Sequence, residues 1–451
     1  MKPTSHYRYI LLCTFAASLG GFLYGYDTAV VSGAIGFLKI HFQLSPKLTG
    51  WAVSCLLVGA IIGSAGSGFI GDRYGRKWSL FGCALLFGGS SILSACANSI
   101  VLFTMARFIG GIAIGATSML SPLYLAEISP KQMRGRLVSC YQLAIVAAIC
   151  LVFFINIQVQ RIGGDAWNIT TGWRWMFASS ILPAGLFAAL LLMVGESPRW
   201  LMKFGRRKEA KAVLENLSDN SHAQFEFQQI EEALQQEDGR WSELFTTGYR
   251  RALLIGILLS VFAQLSGINA IMYYASEIFK TAGETSDIAY VKAAAIGLIN
   301  LLFTFVAMWF VDRAGRKPLL LTGTLIQAGS LFLVGFLFQR NLSGPLLLIA
   351  VLTFVAAFAA TLGPITWIVN SEIFPNKLRG RCMSLAILAL WVANFLVTQT
   401  FPILNQTLGA AYTFWIYGFF SLLTALFALI LLPETKGRTL EEIERYWLKQ
   451  N

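Results

Sequence analysis

The chain has 451 residues, of which 56% are hydrophobic and only 13% charged, with a mean hydropathy of +0.63 and a formal net charge of +12. Ordinary globular chains carry roughly a quarter charged residues; this composition excludes a disordered chain, a disulfide scaffold and most soluble enzymes, and leaves a protein of many membrane-spanning helices. The positive charge is not that of a nucleic-acid binder, because it sits in short clusters between apolar runs: Arg73, Arg76 and Lys77; Lys131, Arg134 and Arg136; Arg313, Arg316 and Lys317; Lys377, Arg379 and Arg381.

Taken in chain order, twelve runs reach the ~20 apolar residues that a spanning helix needs. They are predicted over 9–36, 48–71, 78–98, 100–125, 136–160, 173–194, 251–280, 288–311, 318–338, 345–370, 382–404 and 410–432. The first continues through Gly20, Gly21, Gly25 and Asp27 without a small-residue cleavage site, so it reads as a retained span and not a signal peptide. Gly20-Gly21 and Gly25 are expected to interrupt it, as Ser266-Gly267 interrupts the seventh span and Gly363-Pro364 the tenth. The insert over 195–250 is rich in Glu, Lys, Arg and Gln. Its Ala210, Val213, Leu214 and Leu217, then Ile230 and Leu234, recur at helical spacing and predict short amphipathic helices.

With twelve spans both termini lie on one side, and most Lys and Arg lie with them. The other side holds only Lys39, Lys47, Arg161, Arg174, Lys280, Lys292 and Arg340, while Arg107 falls within a span. The positive-inside rule then places both termini in the cytoplasm of a multi-pass cell-membrane protein. The seven cysteines lie in or beside apolar runs without a C-x-x-C pair, and His6, His41 and His222 are far apart. No metal, disulfide or catalytic cluster is expected. The N-x-[ST] matches at Asn168, Asn341 and Asn405 are read as coincidence.

An internal repeat organises the chain. Gly71-Asp-Arg-Tyr-Gly-Arg-Lys77 recurs as Val311-Asp-Arg-Ala-Gly-Arg-Lys317. Ala126-Glu-Ile-Ser-Pro-Lys-Gln-Met-Arg-Gly-Arg136 recurs, at nearly the same offset, as Ser371-Glu-Ile-Phe-Pro-Asn-Lys-Leu-Arg-Gly-Arg381. The predicted division is a six-helix bundle over 1–194, a cytoplasmic helical insert over 195–250, a second six-helix bundle over 251–432 and a cytoplasmic tail over 433–451. Parallel repeats with a site between the halves are the logic of alternating-access transporters.

Two kinds of residue stand out within the spans. Charge is scarce there, and Asp27 in the first span and Arg107 in the fourth are the clear buried pair; a lone charge at mid-membrane costs ~2.5–3.5 kcal/mol on insertion scales, so the two are expected to pair. A carboxylate beside arginine stays ionised until a proton releases the pair, which is a proton switch in principle. Neutral amides and aromatic rings are the other kind. Gln142, Gln264, Asn269, Tyr273, Tyr274, Asn300, Trp367, Trp391 and Asn394 offer donors, acceptors and ring faces, either as helix–helix glue or for a polar ligand in the spans.

The two repeated motifs, Glu196-Ser-Pro-Arg-Trp-Leu201 and Pro433-Glu-Thr-Lys-Gly-Arg438 together resemble the sugar porter branch of the major facilitator superfamily over nearly the whole chain. Within it the chain is most similar to bacterial xylose–proton symporters, and also resembles bacterial inositol permeases. The resemblance implies an all-α fold of two pseudo-symmetric six-helix bundles. It implies a proton-coupling role for Asp27 and Arg107, since passive glucose facilitators of the family carry asparagine where Asp27 stands. It also implies sugar binding by Gln142, Gln264, Asn269, Asn300 and Trp367. It makes a cytoplasmic gate of Asp72, Arg76, Glu127, Arg134, Arg136, Glu196 and Arg199, matched in the second half by Asp312, Arg316, Glu372, Arg379, Arg381 and Glu434. Asp72, Glu127 and Glu196 are expected to pair with Arg134, Arg136 and Arg199.

Three positions depart from the pattern, Ser180 and Leu390 from that of the xylose symporters and Ala263 from that of the family. Ser180 replaces a glutamate, Ala263 the first of two glutamines and Leu390 a glutamine before the tryptophan; Leu390-Trp391 is closer to the inositol permeases. The expectation is a proton-coupled importer of a pentose, hexose or cyclitol. It acts as a monomer in the bilayer, without enzymatic activity, cofactor, metal or nucleic acid, and no G-x-x-x-x-G-K-[ST] run suggests ATP use. A proton-independent facilitator and a non-transporting sugar sensor are the alternatives.

Overall fold

The computed structural model describes residues 3–129, 133–234, 247–374 and 378–436. Among them there are helices and turns and no strand, and twelve helices are long and apolar enough to cross a membrane: His6–His41, Pro46–Tyr74, Arg76–Ala95, Ile100–Ile128, Arg136–Ile162, Asp165–Met193, Tyr249–Tyr273, Ser286–Val311, Arg316–Gln339, Pro345–Ile373, Gly380–Thr407 and Ala410–Ile430. These are the first to twelfth spans below. In a bilayer every backbone N–H and C=O must be satisfied internally, and the helix does this within one segment. The same solvent explains why Leu182 is 81% exposed and Phe69 68% exposed. An apolar chain gains nothing by hiding such faces from lipid.

The sixth span starts earlier than its hydropathy predicts. It begins at Asp165 and passes through a π-helical turn, Asn168–Gly172. Asn168 is fully buried and donates to the carbonyls of Gln160 (2.9 Å) and Gly163 (3.1 Å), so the N-x-T match there is a structural residue.

The expected interruption of the first span does not occur: one helix runs unbroken over Pro3–His41. Its glycines serve close approach instead. A Cβ on Gly25 would lie 2.0 Å from the carbonyl oxygen of Ile145, so the fifth span packs against bare backbone. The other two breaks are present. The seventh span is interrupted between Leu265 and Ile268, with Gly267 left-handed at φ 85°, and a short helix Ile268–Tyr273 follows. The tenth divides into Pro345–Ala360 and Leu362–Ile373. It turns at Thr361, two residues before the Gly363-Pro364 pair that marks it in sequence.

The insert folds as three helices, Pro198–Lys203, Arg207–Leu217 and Asn220–Leu234. The predicted stripe is the buried one: Ala210 and Leu214 pack with Trp200, Leu201, Met202, Ala223 and Ile230, and Val213 lies against them.

The chain divides into two compact units. The first comprises Met1–Asp27, Val58–Ala148 and Phe177–Asp238; the second comprises Thr28–Leu57, Ile149–Met176 and Gly239–Asn451.

Candidate functional site

In the first unit, Arg107 Nη1 donates to Asp27 Oδ1, which confirms the pairing expected from burial cost alone. Asp27 and Arg107 are 5% and 2% exposed. The guanidinium lies over the Phe177 ring, 5.5 Å from its centroid, and Phe103 packs edge-on against Phe177. Arg107 Nε and Nη2 are buried without a hydrogen-bond partner among the described residues, so Asp27 carries most of the compensation of this charge. Tyr26, beside Asp27, donates to Ser179 Oγ (2.8 Å). Ser180 is buried and lies 2.8 Å from Ser91 Oγ and 2.6 Å from the Phe177 carbonyl, held within its own packing layer. Gln142 also belongs to this unit, and its amide is half-buried.

The other sugar-site candidates lie in the second unit. Asn269 Nδ2 donates to Gln264 Oε1 at 2.5 Å, bridging the break in the seventh span. Tyr273 and Tyr274 are buried, and Tyr274 donates to the Thr398 carbonyl (3.2 Å). Thr398 Oγ1 donates to Asn394 Oδ1 (3.1 Å), while Asn394 Nδ2 is buried without a partner among the described residues. Trp391 is buried one turn away. Thus Gln264 and Asn269 form one linked pair, and Tyr274 and Asn394 another through Thr398. Asn300 is buried and Trp367 half-buried. Among the described residues no side-chain hydrogen bond ties either to those pairs.

The second unit also contains polar ties that no motif announced. Ser276 donates to the Ser32 carbonyl (2.6 Å), Tyr290 to the Gly33 carbonyl, Asn156 to the Ala29 carbonyl (2.8 Å), Ser54 to Gln399 (2.7 Å) and Gln160 to Asp287 (2.9 Å). They join the first span to the fifth, to the eighth and to the helix Ala275–Thr281, the second span to the eleventh, and the fifth to the eighth. The signal was present as isolated polar residues in apolar runs, which sequence alone does not sort from helix–helix glue.

The repeat motifs build two matching networks with pairings other than those expected. In the first unit Arg76 is the node. It donates to the Gly71 carbonyl (3.0 Å), to Asp72 Oδ1 (3.0 Å) and to Glu127 Oε1 (3.2 Å). Its Nε lies 3.1 Å from Glu127 Oε2, close enough for the ion pair though not aligned as a hydrogen bond. Asp72 also meets Lys203 (3.1 Å). Glu196 takes backbone N–H groups in place of arginine: Arg76 N at 2.9 Å, Lys77 N at 3.1 Å and Ser197 N at 2.7 Å. It thereby caps the third span, where exposed N–H groups and the helix dipole favour a carboxylate. Arg136 and Arg199 are exposed and make no ion pair among the described residues.

The second unit repeats the pattern. Arg316 donates to Glu372 (2.8 Å) and to the Val311 carbonyl (3.3 Å). Glu434 accepts from Arg316 N (3.1 Å), Lys317 N (3.0 Å) and Lys436 N (2.9 Å). Thr435 adds a bond to Glu372 (2.5 Å), and Arg381 is half-exposed. The side chains of Arg134, Asp312 and Arg379 lie outside the described residues. The two capping carboxyls titrate in opposite directions. Burial pushes Glu196 above its ordinary value, against the N–H bonds of Ser197, Lys77 and Arg76. Burial also works upward on Glu434, but the N–H groups of Lys436, Arg316 and Lys317 outweigh it and hold that carboxyl below.

Twelve spanning helices, a duplicated motif set, breaks in the seventh and tenth spans and the ion pair buried within the spans define a membrane transporter with the major facilitator fold. The sequence profile of the family described as "Sugar (and other) transporter" matches residues 13–447. The chain is 44% identical to the arabinose–proton symporter of Bacillus subtilis (strain 168) over 443 residues, covering 98% of this chain and 96% of that one. It is 41% identical to the D-xylose–proton symporter of Escherichia coli (strain K12), over 99% and 97% of the two chains. The inward open structure of the xylose transporter XylE from E. coli superposes with a TM-score of 0.87 at 40% identity, covering 97% of this chain and all of that one. The chain belongs to the sugar transporter family.

Proposed function

We propose that this protein imports a monosaccharide or cyclitol across the cell membrane by alternating access, coupled to proton entry, with both termini in the cytoplasm. The observation that carries the reading is the buried Asp27–Arg107 pair in a chain of this family. Removing one partner of a buried pair leaves an uncompensated charge, at about 3–5 kcal/mol. Protonating Asp27 does the same to Arg107, so a proton on Asp27 drives the first unit toward an arrangement that serves the arginine differently. The relatives named above carry arabinose or D-xylose with a proton. Pentoses are therefore the first substrates to test.

Gln264, Asn269, Tyr273, Tyr274, Asn300, Trp367, Trp391 and Asn394 are proposed as sugar ligands on the second unit, and Gln142 on the first. Asn394 Nδ2 is a buried donor to spare, and Gln264 and Asn269 are already linked as one pair beside the break in the seventh span. Ala263 and Leu390 take away hydrogen-bonding groups, each worth ~1–3 kcal/mol when a buried hydroxyl loses its partner, so preference among sugars is set anew here. The bundles are read as 1–194 and 251–432, with Arg76 and Arg316 as the nodes of their cytoplasmic networks.

Uptake into proteoliposomes tests the reading. Labelled xylose, arabinose, glucose, galactose and myo-inositol are offered with and without an inward proton gradient. The proposal expects one of them to accumulate only with the gradient and a protonophore to abolish this. Uptake that merely equilibrates and ignores the gradient makes the protein a facilitator.

A further inference from the structure

The short helix Ile268–Tyr273 carries Asn269 and ends against Tyr274, and part of what holds it comes from residues not assigned above. Behind the break, on the twelfth span, lies the ring of Tyr417. A Cβ on Gly267 would come 2.7 Å from Tyr417 Cγ and 2.8 Å from Cδ2. Only glycine suits that place twice over, since its φ of 85° is left-handed as well.

The Tyr417 ring stacks on Phe401 of the eleventh span, with centroids 6.5 Å apart and planes 18° apart. Phe401 stacks in turn on Tyr274, at 4.9 Å and 27°. One aromatic ladder therefore meets the short helix at both ends, at Gly267 and at Tyr274. The hydrogen bond from Tyr274 to the Thr398 carbonyl fixes the far end again. Tyr417 is only 3% exposed, and its hydroxyl is buried without a hydrogen-bond partner among the described residues. Phenylalanine would fill the same space without that cost.

We propose that Tyr417 is a positioning residue for the substrate helix of the seventh span: its ring sets where the helix starts, and its hydroxyl finds its partner in a second conformation of the transport cycle. The ring half of this is independent of substrate. The effect on transport rests on the reading that Asn269 binds sugar.

Two variants of the full-length protein in nanodiscs and proteoliposomes separate the parts. The first readout is amide hydrogen exchange without sugar. In Tyr417→Leu the amides of Ile271 and Tyr274, bonded to the carbonyls of Gly267 and Ala270 at 3.1 Å each, exchange faster. The expected factor is about tenfold, with Pro345–Ala360 unchanged, because loss of packing at one element opens that element alone. The second readout is sugar exchange. Tyr417→Leu raises KM, whereas Tyr417→Phe leaves KM and amide exchange as they are and slows sugar exchange about fivefold, the scale of one lost hydrogen bond.

Unchanged amide exchange at Ile271 and Tyr274 in Tyr417→Leu overturns the role of the ring, as does acceleration spread evenly into Pro345–Ala360. A parental sugar-exchange rate in Tyr417→Phe overturns the role of the hydroxyl. If Tyr417→Leu does not fold, Phe401→Leu breaks the same ladder and carries the same expectation at Tyr274. A parent protein that exchanges no sugar refutes the transport reading, and amide exchange still decides the ladder.

Discussion

Replacing Arg76 with alanine removes the node of the first network, and burial sets the size of the effect. The Arg76 side chain is 9% exposed and its partner Glu127 7%, whereas Asp72, its other partner, is 53% exposed. The exposed pair with Asp72 is worth at most ~1 kcal/mol. Breaking the buried pair strands Glu127, which costs about 3–5 kcal/mol. Arg76→Ala should therefore destabilise by about 3–5 kcal/mol and Asp72→Ala by less than ~1 kcal/mol. The matching Arg316→Ala should be milder than Arg76→Ala, because Glu372 is 23% exposed and keeps the Thr435 hydroxyl. Adding Glu127→Ala to Arg76→Ala should recover stability, since the stranded charge goes with it. Denaturant titration of the purified variants in mixed micelles reads all four. The reasoning fails if Asp72→Ala costs as much as Arg76→Ala, or if the double variant is no better than the single one.

Gly25→Ala should destabilise by ~1–3 kcal/mol through overpacking, because its Cβ meets the Ile145 backbone at 2.0 Å. Gly89→Ala, with nothing within 4 Å, is the neutral control in the same unfolding assay. The two capping carboxyls should titrate in a fixed order on acidification. Glu196, held above the ordinary 4.5, takes its proton first, and Glu434, held below it, last. Glu196 binds its proton more tightly folded than unfolded, so its contribution favours the folded state as pH falls through its folded value toward the ordinary one. The Glu434 contribution is present above the ordinary value and is lost as pH falls through its folded value. Carboxyl-stretch infrared difference spectra of Glu196→Gln and Glu434→Gln report the order, and the reverse order contradicts the assignment of causes.

Spans, repeat and buried ion pair were all legible in the sequence, because each follows from a count that solvent enforces. Twenty apolar residues cross a bilayer, and a charge at that depth needs a partner. The break at Gly267 was legible because glycine stands beside serine and amides there. The first span misled, since a glycine that lets a helix bend and one that lets a neighbour approach look alike until Ile145 is in place. The break in the tenth span was legible from Gly363-Pro364, though it falls two residues earlier, at Thr361. In the motif networks the charges could be read but not their pairing. Arg136 and Arg199 are as basic as Arg76, yet of the three only Arg76 places both its guanidinium and its N–H in the cluster. Tyr417 was invisible because an aromatic in an apolar run reads as lipid-facing or core.

If Asp27 carries the coupling proton, Asp27→Asn separates gradient-driven accumulation from exchange. The variant keeps the side-chain shape but cannot exchange a proton. Proteoliposomes carrying parent or variant are compared for gradient-driven accumulation and for exchange of internal against external sugar. Asp27→Asn is expected to lose accumulation and retain exchange. Accumulation that persists in the variant, at the parental level and still abolished by a protonophore, would contradict it and reduce Asp27–Arg107 to a structural pair.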